Sequence, residues 1–325
     1  MTSTPIGLPL DRGTKEMFSR GERVATTAAP KRTKKRLTSR TATIASLIIA
    51  VLWTIPTFGL FVSSVRPGVL VQTTGWWTIF QNWGFTFQNY SDVLKAGNGQ
   101  LNLAGSFINS LAITIPATAF PLVLAALAAY AFAWIDFRGK DWLFIGVFAM
   151  QIVPIQMALV PLLSLFSRGL KIGDVQLFSS LGTVDGSYAQ VWIAHTIFGL
   201  PLAIFLLHNF IAEIPQELVE AARVDGAGHG QVFFRIILPL TMPAIASFAI
   251  FQFLWVWNDL LVALIFASGE AAPMTKLLAE ITGTRGQDWN LLTAGAFISI
   301  LVPLIVFFAL QRFFVRGLLA GSTKG

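Results

Sequence analysis

The residues able to do chemistry are few and scattered. With no cysteine in the 325-residue chain there is no disulfide, no thiolate nucleophile and no thiolate metal ligand. Any reaction centre would have to be built from 16 Asp and Glu, three His and 23 Lys and Arg. Histidine, aspartate and glutamate never fall at metal-ligand spacing, and no serine lies in a nucleophile elbow. The run Gly226 to Gly230 (GAGHG) has the glycines of a phosphate loop, but Gln231 and Phe233 break the dinucleotide pattern and no strand precedes it. It reads as a flexible hinge between two helices. No G-x-x-x-x-G-K-S/T occurs either, so ATP should not bind here. The reading is of a non-enzyme with no metal, no cofactor and no catalytic residue.

The remaining polar signals stand inside apolar runs. Asn258 and Asp259 fall within one such run, where an unpaired carboxylate in lipid costs about 2.5–3.5 kcal/mol. They should face protein or water. Two roles are open to them: lining a polar path, or forming an interhelical hydrogen-bond pair that fixes packing. Gln252 could join either, and Trp255 and Trp257 beside them are candidates for lining a cavity. His195 and Asn109 are similar lone polar groups, for which packing is the simpler role.

The elements that must position these residues are set by composition. The chain is 54% hydrophobic and only 12% charged, with a mean hydropathy of +0.68, and a bilayer is the natural sink for that surface. A span needs roughly 20 apolar residues. Six stretches qualify, near Ile44–Val65, Phe107–Trp134, Trp142–Leu165, Tyr188–Phe210, Pro243–Ser268 and Leu291–Phe314. Prolines 56, 116, 121, 154, 161, 201 and 303 lie within them and should kink helices. Residues 1–40 carry ten basic residues, including Lys31 to Arg36 (KRTKKR), and read as a disordered cytoplasmic tail whose partner is anionic lipid rather than nucleic acid. With that tail inside, 17 Lys and Arg fall on the cytoplasmic side and six outside, which leaves both termini cytoplasmic. Tryptophans 53, 76, 77, 142 and 289 fall near span ends or in outer loops, as belt or loop residues do.

The longest cytoplasmic connection, about 211–242, carries the most specific signal. Pro215 can open a helix, Leu218, Ala221 and Ala222 give it one apolar face, and Gly226 can end it in a tight turn. Small side chains at Ala221 and Ala222 suit close approach of another protein, with Glu217, Glu220, Arg223 and Asp225 as polar edges. Acidic residues outnumber basic ones, which is wrong for anionic lipid.

This loop resembles the EAA signature of ABC importer permeases: Glu220-Ala221-Ala222, three residues, Gly226, nine residues, Ile236, one residue, Leu238-Pro239. The likeness extends over about 44–325 and is closest to the smaller permease of maltose-type and α-glucoside-type carbohydrate importers. Supporting stretches include SSVRP at Ser63, NSLAIT at Asn109, AAYAFA at Ala128, PLAIFLLHNF at Pro201 and WND at Trp257. The resemblance implies an all-α inner-membrane protein of type I importer fold, with six transmembrane helices and a permease domain over 41–325. It implies that Glu220, Ala221, Ala222, Asp225 and Gly226 form a coupling helix in a groove of the ATPase. It further implies a second homologous permease, two ATP-binding subunits and an extracytoplasmic solute-binding protein. An ion-coupled secondary transporter is the alternative; it should show two related halves with ionisable residues at mid-membrane, and only one intramembrane carboxylate is found.

Overall fold

The computed structural model describes residues 40–97, 101–181, 187–267, 269–282 and 288–320, with the side chains of 282 and 312–320 excepted. The basic tail expected over 1–40 lies, but for Arg40, outside the described residues, as do the side chains of Arg312 and Arg316 and all of Lys324. Among the described residues the architecture is helical apart from one small hairpin and an isolated bridge.

Helix α1 (Arg40–Ser64) is a continuous helix; its residues up to Thr57 belong to one unit, and the chain from Phe58 onward forms the other, the body. Within that body, α2 (Gly68–Thr73), a 3-10 turn at Trp76–Phe80 and α3 (Gln88–Lys95) precede the second span, α4 (Leu103–Trp134). The fourth and fifth spans are α7 (Ala189–Ala212) and α10 (Leu238–Trp257), and the last is α13 (Trp289–Ala320).

The third expected span is not one helix. It consists of α5 (Lys140–Ala149), extended by a 3-10 turn to Ile152, and α6 (Ile155–Arg168), bent by 105° at the break. Val153 precedes Pro154 and is pushed out of the helical region into extended backbone (φ −73°, ψ 119°), as the steric demand of a following proline requires. Among the described residues five helices are therefore long and apolar enough to cross, or six if the bent pair counts as one span. The other six prolines lie inside helices that continue through them.

The fifth span also differs from its expected bounds. Helix begins far upstream, at α9 (His229–Val232), passes through a π-helical turn at Phe233–Ile237 into α10, and stops at Trp257. A short α11 (Leu261–Phe266) follows, then α12 (Met274–Thr282). A hairpin of β1 (Leu170–Ile172) and β2 (Val175–Phe178) caps α6.

Spans α4 and α7 form the centre of the body. Lipid gives no hydrophobic drive between helices, so association depends on close packing of small residues. Ala117, Ala125 and Ala129 on α4, with Ala194 and Ala203 on α7, are fully buried and allow that approach. Asn109 holds the outer end of α4: its amide donates to the carbonyls of Glu270 and Ala272 at 2.6 and 3.0 Å, and its oxygen accepts from Tyr188 at 2.6 Å. This is the packing role expected of it.

Candidate coupling helix and translocation residues

Chain leaving α7 turns at Ile214, which is buried, and Pro215 opens α8 (Gln216–Val224) with its fixed φ of −54°. The helix closes in a Schellman motif. The N–H of Gly226 donates to Arg223 O at 3.0 Å, that of Ala227 donates to Ala222 O at 2.9 Å, and Gly226 sits at φ +83°. Alanine, three residues and glycine is thus the spacing this closure demands, with Ala222 and Ala227 packed together on the core beneath. Gly228 then caps α9, its N–H held by the Gln231 side chain at 3.1 Å. The expected flexible hinge at 226–230 is a hydrogen-bonded turn.

One face of α8 is held by the body. Val219 is 2% exposed and packs with Ile214, Val232 and Phe233 in the cluster that joins the inner ends of α4 and α7. Ala222 is on this inner face, which corrects the expectation that both alanines point outward. The free apolar face is Leu218, Ala221 and Val224, and Val224 is 87% exposed. Glu217, Glu220 and Asp225 are exposed around it, and Glu220 accepts from Gln216 at 2.8 Å. Such a ridge offers a shallow apolar knob with acidic edges.

A link missed by the sequence reading ties this loop to the membrane. The Tyr130 hydroxyl, near the inner end of α4, lies 3.0 Å from His229 Nδ1, and its ring packs edge-on against His229 and Phe233. Ninety-nine residues separate the pair, and no local pattern points to it. Replacing Tyr130 by phenylalanine keeps the ring packing and removes only the hydroxyl's contacts, to His229 Nδ1 and, at 3.4 Å, to the His229 carbonyl, together worth about 1 kcal/mol. The variant is expected to reach the membrane at parental level and to melt earlier in detergent, by an amount matching that loss. Thermal melting of the purified variant beside the parent checks this, and an unchanged transition would mean that the pair does not hold the loop.

The five residues assigned to a possible path separate. Gln252 is buried, donates to Ala117 O at 3.2 Å and closes against Gly199, whose missing side chain makes room for it. With Trp255, Gln151, Met150 and Phe198 it lines a cavity of about 500 Å³ at the break in the third span. Trp257 does not face a cavity of this kind: it is 2% exposed, stacks on Phe253 at 5.9 Å and donates its indole N–H to Ser299 O at 3.1 Å. It is a packing residue.

Asn258 and Asp259 are not inside the fifth span but just past its end. Asn258 is exposed and folds back on its own helix, donating to Leu254 O at 2.8 Å. Asp259 accepts the Ala263 N–H at 3.1 Å, which anchors the start of α11, and stands 3.8 Å from His195 Nε2. His195 is buried, as a packing role requires, and Trp255 stands edge-on to it at 5.3 Å.

The body is a bundle of bent and broken spans with one surface helix folded back onto their inner ends. The chain belongs to the family described as binding-protein-dependent transport system inner membrane component, matched over residues 121–319. It is therefore a multi-pass inner-membrane protein, and the ion-coupled alternative is set aside.

Among relatives, it is 52% identical over 86% of its length to the osmoprotective compounds uptake permease protein GgtD of Synechocystis, covering 91% of that protein. It is 51% identical over 74% of its length to the alpha-glucoside transport system permease protein AglG of Rhizobium meliloti, covering 61% of that longer protein. The crystal structure of a bacterial ABC transporter that imports the acidic polysaccharide alginate contains a chain of the same fold. There the TM-score is 0.60 and the identity 20%, over 85% of this chain and 99% of that one. The fold is that of a type I ABC importer permease.

Proposed function

We propose that this chain is the smaller permease of an ATP-driven importer for small α-glucosides. It forms half of the translocation pathway, beside a second homologous permease. Of two separate ATPase subunits, one docks on α8 and the other on the corresponding helix of the second permease, and an extracytoplasmic binding protein delivers the sugar. The observation that carries the coupling role is the Schellman-closed α8, pinned on one face to the span ends and bare on the other along Leu218, Ala221 and Val224. A helix so mounted transmits a push from a soluble subunit directly to α4 and α7.

The substrate class rests on the relatives: one takes up osmoprotective compounds, another alpha-glucosides, and the SugB permease of Mycobacterium tuberculosis, 32% identical over 88% of this chain, trehalose. Alpha-glucosides and trehalose are neutral, hydroxyl-rich solutes. A cavity combining an aromatic wall at Trp255 with the amides of Gln151 and Gln252 and otherwise apolar sides is suited to such a ligand.

A deletion strain should lose uptake of radiolabelled trehalose or of another short α-glucoside and regain it with the gene restored. Loss of amino acid or peptide uptake in its place would overturn the substrate class. Purification of this chain as a transport-competent species without an ATPase would overturn the assembly.

A further inference from the structure

The segment that follows α1 is built inside out for a water-facing loop. Between Arg66 and Asp92 lie 25 residues without a charge, seven of them aromatic. Several polar groups turn inward, although Gln72, Thr73, Gln81, Asn82 and Gln88 stay exposed: the fully buried Arg66 guanidinium donates to Gly75 O at 2.9 Å, Thr74 Oγ1 at 3.0 Å and Thr78 Oγ1 at 3.3 Å, and the Asn89 amide donates to the carbonyls of Ser64 and Arg66. The large apolar groups turn outward, with Val69, Trp77, Phe80, Trp83 and Phe87 between 68% and 86% exposed.

The depth of this patch is fixed by its contacts with α1. Trp76 lies against Gly59, its ring 2.7 Å from where a side chain on that glycine would begin, and edge-on to Phe58 at 6.0 Å. Gly59 is five residues short of the helix end at Ser64, roughly 8 Å back toward the bilayer centre. The chain then climbs again, since the Thr86 N–H donates to Val65 O at 2.7 Å. Aromatic side chains exposed over that range sit where amphipathic surface segments bury themselves, about 5–10 Å into the headgroup and acyl boundary.

We propose that residues 67–87 form an interfacial anchor that dips into the extracytoplasmic leaflet, with Trp77 and Phe80 in the acyl region and Trp83 nearer the headgroups. The occupant of the patch is lipid. A segment with no charge has nothing to steer a soluble partner, and the caging of Arg66 keeps that cation off the surface. The inference rests on the orientation of α1 and not on the coupling role of α8, so either can fail without the other.

Because the chain has no native cysteine, W77C, F80C and W83C each provide one labelling site. Each spin-labelled variant would be assembled with cysteine-free partner subunits into the whole transporter in phosphatidylcholine and phosphatidylglycerol bilayers. Collision rates of the label with oxygen and with a water-soluble nickel chelate are then compared, with K95C on the exposed end of α3 as the water reference. The oxygen-to-nickel ratio at positions 77 and 80 is expected to exceed that at 95 by roughly fivefold or more, with position 83 between them. A ratio at 77 and 80 equal to that at 95 would place the segment in water and overturn the proposal. Exclusion of both reagents at 77 and 80 would mean another protein chain covers the patch, and would overturn it too. Phe80 packs so little against its own chain that F80C reports even if W77C assembles poorly.

Discussion

Replacing Gly226 by valine is expected to reduce ATP-dependent uptake at least tenfold while the permease still inserts and accumulates in the membrane. At φ +83° a residue with a β-carbon is strained, by about 1–3 kcal/mol, and a β-branched one fares worst. Nothing lies within 4 Å of where the new β-carbon would sit, so crowding contributes nothing and the cost is one of backbone conformation. The strain is relieved by opening the turn, which releases the bonds from Gly226 and Ala227 to Arg223 and Ala222 and lets α8 fray from its C-terminal end. Asparagine, which tolerates the left-handed region, gives the matching control and should keep most of the activity. Co-purification of the ATPase and uptake in both variants would check this. A valine variant that retains its ATPase and transports at the parental rate would remove Gly226 from the coupling element.

The second large effect separates two adjacent alanines. The two faces differ clearly: Ala221 is exposed on the free ridge, and Ala222 is packed against the body. Ala221→Trp should leave α8 seated and block docking, with ATPase co-purification lost and membrane level and thermal stability unchanged. Ala222→Leu must instead overfill the contact beneath the helix, at about 1–3 kcal/mol, and should lower the stability of the permease itself. Uptake falls in both, but only the second variant should show an earlier melting transition in detergent. Equal stability loss in the two would mean that the faces are assigned wrongly.

What could be read in the sequence follows the range of the interactions. The surface helix was legible because its opening proline and closing glycine act within one or two turns, and the alanine-to-glycine spacing is itself the closure geometry. Which alanine faces the body was not, because Leu218 with Ala221 and Val219 with Ala222 are equally apolar stripes and only the cluster beneath chooses between them. Trp257 has the composition of a cavity residue, but Ser299, 42 positions later, takes its indole N–H. In the sequence Asn258 and Asp259 read as part of a span because apolar residues resume after them, and hydropathy averages across a two-residue break. The bend at Val153 and Pro154 was within reach as a kink, though proline alone does not distinguish it from the six prolines that helices absorb.

The π-helical turn at Phe233–Ile237 has a bearing on how this gene can change. A π turn holds one residue more than the α-helical ladder accommodates, and each residue in an α-helix advances the azimuth by about 100°. Every side chain from Leu238 to Trp257 is therefore out of phase with the segment before it by that angle, and Gln252 meets Ala117 and Gly199 only because of the offset. A codon lost within 233–237 would regularise the helix and swing the whole downstream stripe off its neighbours, whereas point changes at the same positions leave the phase intact. Length in this stretch is more tightly constrained than identity.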